Sequence, residues 1–276
     1  MKHNNEIGSG HNRGTISLRL ILERDVNVIQ SFSKQSLLPY DRTIHEIRKS
    51  LKSISAIFLL YKHKFKRLEY FRLRYLIRSL SKRYGLVRES YVYLQTYKNS
   101  KERLNLSDCS DLEELRTHLE LKYKQIAEAD ENGIGYNRPM VEEFILLTDA
   151  IAGLDLNAGH RHLKKRIEAK YKTSKRLFDK LKLSSSHEEF HQFRKCTKQL
   201  YLQQAALKHT GFPKIVKHPN LLFKVTEYLG KEHDLQMFYE YLNIYFVGLT
   251  PEAKPFIKYK INKIRKKILK QYPQII

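Results

Sequence analysis

Two segments of the chain set histidine, arginine and lysine in the same order. They are Ile44-His45-Glu46-Ile47-Arg48-Lys49-Ser50-Leu51-Lys52 and Phe190-His191-Gln192-Phe193-Arg194-Lys195-Cys196-Thr197-Lys198. On a helix the spacing i, i+3, i+4, i+7 gathers His45, Arg48, Lys49 and Lys52 into one cationic stripe, and His191, Arg194, Lys195 and Lys198 into another. Like charges stacked this closely repel by a few tenths of a kcal/mol per pair, and only Glu46 is acidic among them. The chemistry that suits such a stripe is anion binding, with Arg forks and Lys point charges donating charge-assisted hydrogen bonds. A single basic stripe is usually a solvated helix face. Two in the same order argue against that, since a solvent face has no need to preserve His-x-x-Arg-Lys-x-x-Lys.

The recurrence extends beyond the stripes. The first block returns after 190 − 44 = 146 residues. Downstream, Gly85-Leu86-Val87-Arg88-Glu89 returns as Gly230-Lys231-Glu232-His233-Asp234, shifted by 230 − 85 = 145, and upstream Leu18-Arg19 with Leu22-Glu23 returns as Leu163-Lys164 with Ile167-Glu168, shifted by 163 − 18 = 145. Three blocks in one register describe two copies of a unit about 145 residues long, copy one over about 16–130 and copy two over about 140–272. Apolar residues recur at three and four, as in Ile44, Ile47, Leu51, Ile54 and Phe58, and alternation of period two is scarce. An all-α fold of roughly eight helices follows, taking the shorter pieces as parts of longer elements, over about 16–37, 42–61, 66–84, 87–98, 111–130, 140–182 with a break near Gly153 to Gly159, 187–209, 219–246 and 252–271. Residues 1–15 read as a loose polar tail, and Ala129 to Pro139 as the connector between copies.

Composition bounds the partner. The 276 residues carry 52 Lys+Arg against 29 Asp+Glu, a net charge of +23, with 41% hydrophobic residues to build a core. That excess opposes compaction by self-repulsion and points to a polyanion: nucleic acid, a phosphate polymer or an anionic membrane surface. Cys109 and Cys196 have neither disulfide-scaffold density nor zinc-site spacing, so a reducing, cytoplasmic setting fits. The longest apolar run, Ala56 to Tyr61, is far short of the ~20 residues that span a bilayer, so no membrane insertion is expected.

Other motifs compete. His187-Glu188-Glu189-Phe190-His191 spells H-E-x-x-H, but no third ligand is evident, the surroundings are cationic, and copy one has Asp41 where His187 stands. No metal site, cofactor or catalytic residue is therefore assigned. His160 and His162, two apart on a helix, point to different sides. A nucleic-acid-binding helical protein is the rival reading, with 18 Tyr and 13 Phe as stacking platforms. Most of these aromatics occupy core-like positions, such as Phe58, Phe178 and Phe193, so nucleic acid is expected only non-specifically at low salt. No G-x-x-x-x-G-K-[ST] loop, G-x-G-x-x-G turn or E-x-E-x-K segment signals an enzyme on phosphates.

The paired H-x-x-R-[KR]-x-x-[KR] helices, each followed about 40 residues later by a glycine and an acidic residue (Gly85 with Glu89, Gly230 with Asp234), resemble the CHAD family, the conserved-histidine α-helical domain. The resemblance covers about 16–272 as a single domain. It implies two antiparallel helical bundles related by a pseudo-two-fold axis, with a basic central groove or pore that binds inorganic polyphosphate without catalysis. It also implies polyphosphate-associated proteins as partners and polyphosphate granules as the place of residence. Carried onto this chain, the polyphosphate-binding set is His45, Arg48, Lys49, Lys52, His191, Arg194, Lys195 and Lys198, with Arg74, Arg78, Lys164 and Lys165 added as nearby cations. The chain departs from the family in having Ser53 and Ser55 where further arginines are usual, and Glu89 where aspartate is usual. Lys164 and Lys165 open a second basic segment with Arg166, Lys172, Lys175 and Arg176. Neighbouring cations should disfavour protonation of His45 and His191 in the empty groove, and a bound polyanion should restore it.

Overall fold

Sustained three-four periodicity becomes helix in the structure, a computed structural model that describes residues 15–34, 40–104, 110–131, 137–208, 210–245 and 253–275. In order come β1 (Thr15–Ser17), α1 (Leu18–Lys34), α2 (Tyr40–Tyr61), a 3-10 turn (Lys62–Lys64), α3 (Arg67–Leu104), α4 (Ser110–Glu131) and α5 (Asn137–Ala152). Then follow β2 (Asn157–Gly159), α6 (His160–Phe178), α7 (His187–Leu207), α8 (Pro219–Tyr245), α9 (Ala253–Gln271) and a closing 3-10 turn (Tyr272–Gln274). The helical class holds with one small exception. β1 and β2 pair antiparallel, Thr15 opposite Gly159, Ile16 opposite Ala158 and Ser17 opposite Asn157. Three residues are too few to display a period of two, so nothing in the sequence announced them. Residues 1–14 of the expected tail and 132–136 of the expected connector lie outside the described residues.

The break expected at Gly85, between 66–84 and 87–98, does not form: α3 runs unbroken through it, and α8 runs through Gly230 as the reading of 219–246 has it. A glycine inside a helix costs about 1 kcal/mol, whereas each large apolar side chain buried beside it contributes about 1.5–3 kcal/mol. On α3, Tyr70, Leu73, Ile77, Leu80 and Tyr84 are buried before the glycine, and Tyr93, Leu94 and Tyr97 after it. Burial on both sides outweighs the single defect. Neither glycine needs its special backbone freedom, since Gly211 alone among the described glycines has positive φ.

These two long helices link two cores. The main core draws on α1, α2 and the first half of α3, and on α6, α7 and the first half of α8; Leu22, Leu51, Ile54, Phe190, Phe193 and Leu229 are all fully buried in it. The second joins the far ends of α3 and α8 to α4 and α9 through Tyr93, Leu94, Leu115, Leu119, Phe238 and Ile257. Across the halves α2 packs on α7, α3 on α8, α1 on α7 and α2 on α6. Within this seam Gln203 of α7 donates to the carbonyl of Ala56 on α2 at 2.9 Å. The predicted apolar stripe of α2 is the buried one, and its cations are left facing out of the core.

Candidate functional site

The start of α7 is fixed by a capping box: Ser186 Oγ accepts from the Glu189 amide at 3.2 Å, and the Glu189 carboxylate accepts from the Ser186 amide at 2.7 Å. Glu189 is thus a helix-start residue, and the glutamate of H-E-x-x-H, Glu188, accepts from Gln192 Nε2 at 3.2 Å along the same helix. With Phe190, Phe193 and Leu200 buried, His191, Arg194 and Lys198 take the adjoining face, as His45, Arg48 and Lys52 do on α2. α2 packs on α7, and Lys52 of the first row feels the charges of Arg194 and Lys198 of the second.

Their mutual influence is legible in the proton affinities. Lys52 is pushed down from 10.5 to about 8, first by desolvation and then by Arg48 of its own row and by Arg194 and Lys198 of the other, with Asp234 opposing. Arg48 is lowered by desolvation, then by Arg88, while Glu89 opposes and Arg194 adds. Lys198 is lowered by desolvation, against Glu227, which lies 3.7 Å from its Nζ. His45 is lowered by desolvation and then by Arg88, and His191 by desolvation, Lys195 and Arg194, as expected of histidines among cations. Arg48 Nη1 is held by the Ser81 carbonyl at 2.9 Å and lies where a Cβ on Gly85 would touch it at 3.6 Å.

Lys52 is solvent-exposed although desolvation is the first cause of its shift. Protein crowds it on several sides while water still reaches it, and that water screens part of the repulsion. Its depressed affinity means a penalty that is complete below about pH 8 and gone above about 10.5. Lys52→Met will therefore stabilise the protein at pH 7 by about 1 kcal/mol after the discount for solvent screening. Urea unfolding at pH 7 and at pH 10 will show the gap between wild type and variant shrinking as pH rises. A variant less stable than wild type at pH 7 would mean that Lys52 is not repelled.

Other predicted residues fall elsewhere. Lys49 is exposed and pairs with Glu46 at 3.3 Å, and Lys195 is exposed beyond Arg194. Arg74 lies over the Tyr70 ring at 5.9 Å and Arg78 is exposed on α3; neither is among the charges that bear most on Arg48 or Lys52. Lys164 pairs along α6 with Glu168 at 3.9 Å, Lys165 is exposed, and Arg166 turns inward to donate to the Leu59 carbonyl at 2.9 Å.

Three residues left out of the predicted set belong at the rows. Arg88 is the charge that acts most strongly on His45. Asp234, its own carboxyl raised by desolvation, faces Arg194, Arg88 and Lys52. His233 stacks on His191 with ring centres 4.9 Å apart and on His187 at 5.4 Å. All three stand in the repeated Gly85–Glu89 and Gly230–Asp234 blocks, so the repeat had carried the signal. His233 also supplies the third histidine missing from the H-E-x-x-H reading.

A family model for the CHAD domain matches residues 21–243. The chain belongs to the CHAD family. Two solved structures share the CHAD fold with it. PptA from Streptomyces chartreusis is 13% identical with a TM-score of 0.65, spanning 92% of this chain and 92% of that one. The CHAD domain from the plant Ricinus communis is 16% identical with a TM-score of 0.64, spanning 93% and 86%. No curated protein matches this CHAD chain in sequence. Among the described residues no helix is long and apolar enough to cross a membrane.

Proposed function

We propose that this CHAD domain binds inorganic polyphosphate along a basic groove between the rows of α2 and α7, as a binding module and not an enzyme. One observation carries the reading: Lys52 on α2 has Arg194 and Lys198 of α7 as its cationic neighbours from the opposite copy. Cations held together against desolvation and mutual repulsion are stabilised most by an anion that touches both rows at once. A linear phosphate polymer offers oxygens at every unit and no bases, which suits forks and point charges.

The packing supports a pseudo-two-fold relation. α2 on α7, α3 on α8 and β1 on β2 are each contacts between equivalent elements, and α1 on α7 mirrors α6 on α2. An axis through these contacts would bring Arg48 opposite Arg194 and Lys52 opposite Lys198. The carboxylates nearby, Glu89, Glu227 and Asp234, each act on a cation of the rows. The exposed Lys198–Glu227 pair is worth at most about 1 kcal/mol, so a phosphoryl oxygen can displace Glu227.

Nucleic acid is the rival ligand for any basic surface: Phe58, Tyr61, Phe190, Phe193 and Tyr272 are sealed in the core, but Phe71, Tyr75, Phe223, Tyr245 and Tyr259 are exposed and offer faces on which bases can stack. Competition at physiological ionic strength tests the choice. Polyphosphate should displace bound RNA at far lower phosphate concentration than RNA displaces polyphosphate. Equal potency would leave only a generic polyanion binder.

A further inference from the structure

We infer that His187, His191 and His233 form a three-histidine site for a divalent transition metal of the zinc class. Each residue offers a ring nitrogen, and these atoms lie within 4.8 Å of one another. His187 and His191 sit one turn apart on α7, with ring centres 5.8 Å apart, and His233 of α8 completes the triangle. Nδ1 of all three is buried and has no hydrogen-bond partner. A buried polar atom without a partner is destabilising, and each of the three clustered rings carries one. A metal ion satisfies several imidazole nitrogens at once.

The repeat makes the cluster specific to copy two. At the equivalent positions copy one has Asp41, His45 and Arg88, where copy two has histidine in all three. The surroundings pre-set the donors. Arg265 Nη1 donates to the Ser185 carbonyl at 2.7 Å, just ahead of His187, and the same guanidinium grips Glu232 at 2.7 Å, next to His233. Both helices that carry the ligands are thus pinned by one residue. Ligands about 2.1 Å from zinc stand about 3.4 Å apart, so the nitrogens close on an ion by side-chain rotation.

The donor set names the metal class. Three neutral imidazoles suit zinc, copper or nickel, whereas magnesium and calcium demand oxygen. With three protein ligands a fourth position stays open. Arg194 and Lys52 act on His233, so an ion held there carries its own positive charge into cationic surroundings and favours an oxyanion as fourth ligand. Resting on the polyphosphate reading, we assign that position to a phosphoryl oxygen of the bound chain.

Equilibrium dialysis of the full chain against Co²⁺ alone, read by its visible absorption, tests the metal site without any phosphate. The expected result is one Co²⁺ per chain with intense bands, and affinity lower by about 100-fold in His187→Ala and in His233→Ala. His63→Ala, which removes a histidine stacked on His162 at 3.7 Å, should leave uptake unchanged. Circular dichroism of the metal-free variants establishes that they fold. No uptake by wild type, or uptake that survives His233→Ala, overturns the site. Pyrophosphate added to the Co²⁺-loaded wild type should shift the bands. Unshifted bands would overturn the oxyanion ligand while leaving the metal site and the separate polyphosphate reading standing.

Discussion

Alanine at His191, Arg194 and Lys198 will weaken polyphosphate binding about 100-fold or more at physiological salt, and alanine at His45, Arg48 and Lys52 will do the same. Hydrogen bonds to charged groups contribute about 1.5–3 kcal/mol each, and about 1.4 kcal/mol is tenfold in affinity. Losing three overlapping contacts, discounted for water that replaces them, amounts to roughly 3 kcal/mol. The slope of log affinity against log salt should also fall in magnitude by about 2, from roughly 0.7 per phosphate contact for a single-stranded polyanion. Neither variant should be hard to fold, because removing crowded cations relieves the repulsion that lowers Lys52, Arg48 and Lys198. The comparison is Lys263/Lys266/Lys270→Ala on the exposed side of α9. It removes three charges from the net +23, one more than either row variant with histidine neutral, and should still cost only a few-fold. If isothermal titration gives all three variants the same loss, general charge and not the two rows holds the ligand.

The second large effect concerns stability. Arg265→Met will destabilise the protein by about 3–5 kcal/mol. Glu232 is 1% exposed, Arg265 Nε donates to its Oε1 at 2.8 Å, and Nη2 pairs with the same oxygen at 2.7 Å. Burial alone raises the Glu232 carboxyl, and Arg265 is the main influence lowering it again. Removing the guanidinium strands that carboxylate and frees the Ser185 carbonyl, which lies next to the capping residue of α7. The double change Arg265→Met with Glu232→Leu should recover most of the loss, since the stranded charge is gone. About 1 kcal/mol should stay lost for the unpaired carbonyl. Urea denaturation should rank wild type first, the double variant next and Arg265→Met last. A single variant within 1 kcal/mol of wild type would show that α7, α8 and α9 are held by apolar packing alone.

Much of the helix order was readable from period, because α2 and α7 bury one stripe each and the residues between are polar. The rows on α2 and α7 were readable from their repetition. Their meeting was not, since contact between α2 and α7 is a matter of tertiary packing that no local spacing encodes. Gly85 misled for a related reason: it looks like punctuation, and only the burial of Tyr84 and Tyr93 on either side explains why the helix continues. Arg166 offers the opposite case. It reads as one more cation in a basic segment, yet it turns inward to the Leu59 carbonyl because α6 packs on α2. His233 was visible in the repeated block, but its closeness to His187 depends on α8 lying beside α7.

The main interior is assembled from both copies, with Leu22, Ile54 and Tyr61 on one side and Phe193, Leu200 and Leu229 on the other. Each copy alone would expose its share of that interior to water. A precursor bearing only one copy would bury that face by pairing with a second chain through the surface now shared by α2 and α7. Fusion into one polypeptide then freed the two faces to diverge, and three histidines on a single side are what such freedom permits.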